Sequence, residues 1–134
     1  MATSSVGQAI TKTFLADVDL SSYQYYVMGA ASTAGKITPI AAHGGSPMGV
    51  LQNDPTLGEE ATLVVFGPTK VRATTEASAS PLTFGGWVKS SSTGMATGFT
   101  NAAASAWGLG MTYEALASGS GVYLEIFVMP QRIV

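Results

Sequence analysis

The sequence predicts an all-β domain, a compact barrel or sandwich of six to eight short strands. Three observations carry the prediction. Residues 70–74 and 122–128 alternate apolar and polar side chains, the period of a half-buried strand. Residues 61–66, Ala-Thr-Leu-Val-Val-Phe, are apolar on both alternating faces, as in a strand covered on two sides. Between such runs the chain is punctuated by Gly, Pro and Ser, drawn from 16 glycines and 6 prolines.

Taken in order, residues 1–13 are small and polar without periodicity and are expected to form an extended arm. The expected organisation is an N-terminal arm over 1–30 and a single β domain over 31–134. The arm ends in an aromatic cluster, Tyr23, Tyr25 and Tyr26. These tyrosines fit either one strand with a half-buried face or a contact patch, since Tyr offers large area at low entropic cost. Ile37-Thr38-Pro39-Ile40 is a short strand that Pro39 confines to an edge. His43 to Pro47 is a loop. Gly49-Val50-Leu51-Gln52 is a strand, and Asn53-Asp54-Pro55 a turn. Gly67-Pro68 is expected to break the strand at 61–66. In the next one Val71 and Ala73 point inward, and Lys70, Arg72 and Thr74 outward.

After a Ser/Ala/Thr-rich link over 74–80, residues 82–84 and 87–89 read as one strand bent at Gly85-Gly86. Residues 101–108 suit one or two helical turns ended by Gly108. The clearest hairpin follows: Met111 to Leu116, the turn Ser118-Gly119-Ser120-Gly121, then Val122 to Val128 with Val122, Leu124, Ile126 and Val128 on one face. Pro130 is expected to stop that last strand.

Composition limits the function. The 134 residues fit one domain. Charged residues make up 10%, against roughly 25% in typical soluble domains. Such a surface costs little to desolvate and suits a chain packed among partners. The net charge is −2 with no basic run, so nucleic acid is not an expected partner. There is no cysteine, hence no disulfide or thiolate metal site. The first eight residues lack the basic and apolar regions of a secretory signal, and no stretch approaches a membrane span. A chain made in a cytoplasm and not exported is the expectation, with no membrane contact.

Candidate chemistry fails residue by residue. With one histidine, His43, and no cysteine, a His-based zinc centre has too few ligands, and no serine sits in a Gly-x-Ser-x-Gly elbow to pair with it. Glu59 and Glu60 are adjacent and would point to opposite faces of a strand. Asp17-x-Asp19 lacks the further ligands of a calcium loop. Gly29 to Ile37 has the outline of a phosphate loop, but its glycines are one residue too far apart and Ile37 replaces the Mg²⁺-binding hydroxyl. No cofactor, metal or catalytic residue is expected, and the chain is predicted not to be an enzyme.

The run Gly49-Val50-Leu51-Gln52-Asn53-Asp54-Pro55, with Gly58, Gly67-Pro68-Thr69-Lys70-Val71, Ala115-Leu116-Ala117-Ser118-Gly119 and Val122-Tyr123-Leu124-Glu125-Ile126, resembles the capsid cement or decoration proteins of tailed phages. The resemblance covers roughly residues 35–130. It implies a β-barrel or β-tulip on the outer surface of an expanded capsid, with the major capsid protein as partner and a homotrimer as the assembly. Phe14, Tyr23, Tyr25, Tyr26 and Trp107 are the candidate capsid or subunit interface. The tyrosines and Trp107 also fit an alternative, a host- or carbohydrate-binding module of a head fibre or tail.

Overall fold

The computed structural model describes residues 9–75, 81–99 and 107–132. The described residues form nine strands and no helix: β1 (Ile10–Ala16), β2 (Val27–Ala30), β3 (Lys36–Pro39), β4 (Gly49–Leu51), β5 (Glu60–Thr74), β6 (Trp87–Ser90), β7 (Ala96–Gly98), β8 (Trp107–Thr112) and β9 (Ser120–Arg132).

The fifteen residues of β5 are the spine. Its first half pairs with β1 and β4, its second with β9 and β7. Following the pairings, β5–β1–β3–β2–β4 returns to β5, and so does β5–β9–β8–β6–β7. The sheet therefore closes twice, into two five-stranded rings sharing one strand. In each ring a single pairing is parallel, β1 with β3 in the first and β5 with β7 in the second. Closure gives every strand two neighbours, although residues 10–14 of β1 and 120–124 of β9 pair with β5 alone, and so leaves only short free edges along which sheets could aggregate.

Burial follows the two rings. Ala16, Met28, Ile37, Leu51, Ala61 and Leu63 fill the first. Val71, Ala73, Val88, Leu109, Leu124, Ile126 and Val128 fill the second. Between them stands a wall of β2, β4 and β5 buried on both faces. On each of its strands, sequence neighbours part company: Val27, Val50 and Val64 join the second core, while Met28, Leu51 and Leu63 join the first. Each fully buried aliphatic side chain contributes about 1.5–3 kcal/mol through area removed from water.

The all-β class and the double-sided burial of residues 61–66 match the expectation. Several local readings do not. Residues 10–16 and 27–30 belong to the sheet: β1 pairs with both β5 and β3, and β2 lies between β3 and β4. Residues 1–8 lie outside the described residues. Tyr23, Tyr25 and Tyr26 are not on a strand. Two successive turns hold them, closed by Tyr23 N–H to Leu20 O (3.0 Å) and Tyr26 N–H to Tyr23 O (3.0 Å). Pro39 does not make an edge, because it ends β3, which has partners on both sides.

Gly67-Pro68 bends β5 without ending it. Gly67 takes a φ of +115°, and the pair lies opposite Val128 and Phe127. Just before it the register of β1 against β5 slips, since Ile10 pairs with Phe66 and Thr11 with Val64, which leaves Val65 as the extra residue of a bulge. This bulge reverses which side of β5 faces inward, so one strand serves both cores. Pro130 likewise fails to stop β9, which runs on to place Gln131 and Arg132 opposite Gly108 and Trp107. Leu82 makes only an isolated bridge to Leu116. Of the expected helical turns, 101–106 lie outside the described residues, and Trp107 and Gly108 begin β8.

Candidate docking face

Beyond the bulge at Val65, Phe66, Pro68, Lys70 and Arg72 point outward on β5. On β9 the outward residues are Tyr123, Glu125 and Phe127. Register sets Pro68 opposite Phe127, Lys70 opposite Glu125, and Arg72 opposite Tyr123. The row continues across β8 and β6, where Phe127 lies opposite Met111 and Met111 opposite Trp87. On the other side Phe66 lies opposite Ile10 of β1. One apolar band thus crosses five adjacent strands. Phe66 is 43% exposed and Ile10 54%. Phe66 and Phe127 meet edge to face, ring centroids 5.1 Å apart. Paired residues across strands share a face, so the band is continuous.

At one end of this face stands a cluster of rings about a cation. The Arg72 Nη1 donates to the Tyr123 hydroxyl at 2.9 Å. Its guanidinium carbon lies 4.8 Å from the centroid of Tyr123 and 5.9 Å from that of Tyr26, within cation–π range. Tyr25 meets Tyr123 edge-on at 5.7 Å. Tyr25 sits at φ +68°, the left-handed region a bulky side chain seldom adopts. Two backbone bonds hold it there: its N–H donates to Leu51 O (2.7 Å), and its carbonyl accepts from Arg72 N–H (2.8 Å). Such a conformation costs on the order of 1–3 kcal/mol and persists where surrounding structure dictates it. Gly121, at φ +70°, leaves the space Arg72 needs, since a Cβ there would stand 2.9 Å from Nη2.

The five interface candidates separate. Tyr23 and Tyr26 meet edge-on at 4.9 Å, and both pack with Phe14 against the first core. Tyr25 joins the arginine cluster. Trp107 stands in the second ring, opposite Arg132, its backbone N–H bound to Gly44 O at 3.0 Å. The sequence reading missed Arg72, Tyr123, Phe66, Phe127, Met111 and Trp87 as a set. Outward alternation on β5 was legible, but which strand lies beside it was not.

The motif run at 49–55 shapes the fold. A Cβ at Gly49 would collide with the Val64 carbonyl. Asn53 clamps β5, its Oδ1 accepting from Thr62 N–H (3.0 Å) and its Nδ2 donating to Glu60 O (3.0 Å). With Asp54, Pro55, Gly58, Glu59 and Glu60 it lines a wide, open hollow. There the Thr56 hydroxyl and backbone N–H both donate to Glu59 at 2.7 Å, holding its carboxyl below the usual range. His43 is exposed in the loop after β3. Among the described residues, no three His, Asp or Glu side chains gather to hold a metal.

Fold and face together define a class, a doubly closed all-β module that presents a broad aromatic surface. No protein-family model matches the chain, and no curated protein matches it. Among solved structures it is similar to the N base of head fiber gp8.5 in bacteriophage phi29, with a TM-score of 0.60 over 90% of this chain and 93% of that one. At 16% identity the likeness is one of fold.

Proposed function

We propose that this chain is a structural protein of a phage head, binding the outer surface of the expanded capsid and stabilising it. The observation that carries the reading is the shared fold, which spans nearly the whole of this chain and of a phage head protein's base. The cement-protein resemblance at 49–55 and 67–71 agrees with it. So does a charged fraction of 10%, which leaves a surface cheap to desolvate.

The physics of the role needs no titrating group. A protein that binds only the expanded shell stabilises that state by linkage, as a ligand does. Many copies of one modest contact add up across a lattice. A homotrimer suits threefold positions of such a shell. With both rings closed and only short stretches of free edge, side-chain faces offer the main surface for self-association. Light scattering of the purified chain should give three times the monomer mass of 13.7 kDa. A strictly monomeric protein at micromolar concentration contradicts the trimer.

Purified protein added to expanded, undecorated heads of the source phage should bind saturably and raise the shell's melting temperature. Absence of saturable binding refutes the proposal. A second reading draws on the same neighbour, whose name describes a fibre base. In it the chain is the foot of a host- or carbohydrate-binding fibre, present at few sites per head.

A further inference from the structure

Building on the capsid-binding reading, we infer that Arg72, framed by Tyr25, Tyr26 and Tyr123, is the docking point for an aspartate or glutamate side chain of the shell protein. Among the described residues, the Arg72 guanidinium on the outer face has no carboxylate beside it. Across the strands Lys70 lies opposite Glu125, whereas Arg72 lies opposite Tyr123. Its guanidinium contacts are Tyr rings and one Tyr hydroxyl, and none among the described residues is a carboxylate.

The side chain is half-buried, and its Nε is shut off from solvent with no acceptor among the described residues. A cation held so is costly unless something pairs with it. The fold builds this arrangement deliberately. The Tyr25 carbonyl, in a strained conformation, pins the Arg72 backbone, and Gly121 clears the space beside Nη2. Nη2 makes no hydrogen bond to the described residues, so a donor remains for a ligand.

The chemistry of that donor selects the ligand. The rings of Tyr26 and Tyr123 flank the guanidinium, and its planar fork matches a carboxylate through two parallel N–H···O bonds. Tyr and Arg are also the residues that dominate protein–protein binding energy when clustered beside an apolar surface. Here the apolar band from Phe66 to Trp87 continues from the cluster along the same face. That continuity favours a broad protein surface over a single sugar.

The test measures binding of the full chain to expanded, undecorated heads by co-sedimentation at about 0.15 M salt, where exposed charges are screened beyond about 8 Å. R72Q should bind at least ~30-fold more weakly, the loss typical of truncating one side of a desolvated charge pair. R72K keeps the charge but loses the fork, and should bind about 10-fold more weakly. It also decides the matter if R72Q fails to fold. K36Q removes a positive charge from β3 in the first ring and should stay within about 3-fold of the parent, a rim-like effect. Parent-like binding by R72Q or R72K, with the parent protein bound, overturns the inference and leaves the capsid-binding reading standing. Equal losses in R72Q and K36Q overturn it in favour of general electrostatics. No binding by the parent protein refutes the capsid reading itself. Arg72-dependent binding to host cells instead of heads overturns the protein ligand and assigns the site to an acidic glycan.

Discussion

At the residue scale, a few backbone positions do work that side-chain hydrophobicity does not reveal. A Cβ at Gly110 would run into the Phe127 carbonyl oxygen of the neighbouring strand. Gly110→Ala should therefore destabilise the protein by about 1–3 kcal/mol, as overpacking does, measured by urea unfolding. Glu59 gives a second residue-scale prediction. Hydrogen bonds from Thr56 lower its folded-state pKa below 4.5, so the carboxylate form favours the fold. Its contribution is complete above the unfolded value and disappears as pH falls through the folded one. Thr56→Val keeps the backbone donor but loses the hydroxyl, the larger of the two causes, and should therefore reduce that acid sensitivity below about pH 4.5, seen as a flatter Tm-versus-pH curve. Neither residue is singled out by periodicity. Gly110 matters because β9 lies beside it, and Thr56 because the turn folds it onto Glu59.

At the element scale, β5 shows where sequence reasoning succeeds and where it stops. Apolar residues on both faces of 61–66 announced a strand covered twice, and the wall between two cores explains why. Gly67-Pro68 looked like an end because glycine and proline usually punctuate, yet the strand runs through them, just after the bulge at Val65 that hands it from one core to the other. Strand β1 was hidden for the opposite reason. Its Ile10-Thr11-Lys12-Thr13 segment is exposed, so the pairing that recruits it leaves no periodic mark. The arginine cluster was hidden because Tyr25, Arg72 and Tyr123 are distant in sequence and meet only through tertiary pairing. The separation of cores is testable. Leu63 lies in the first and Ile126 in the second. Truncating either to Ala should cost about 2–5 kcal/mol. The double variant should show additivity within about 0.5 kcal/mol, because the two share no core partner. By the same logic Ile126→Ala and Val71→Ala, in one core, should couple more strongly.

At the scale of the whole molecule, double closure and low charge work together. Closure gives each strand two neighbours within the chain and leaves only short stretches of free edge, so association falls mainly to side-chain faces. A net charge of −2 on 134 residues leaves little electrostatic repulsion against crowding on a lattice. The apolar band from Ile10 through Phe66 and Phe127 to Trp87 is the surface that such crowding would cover. Location on the particle tests this account most directly. Electron microscopy of intact virions labelled through this protein should show signal spread over the whole head at lattice spacing. Signal confined to the tail, or absent from the particle, would contradict it.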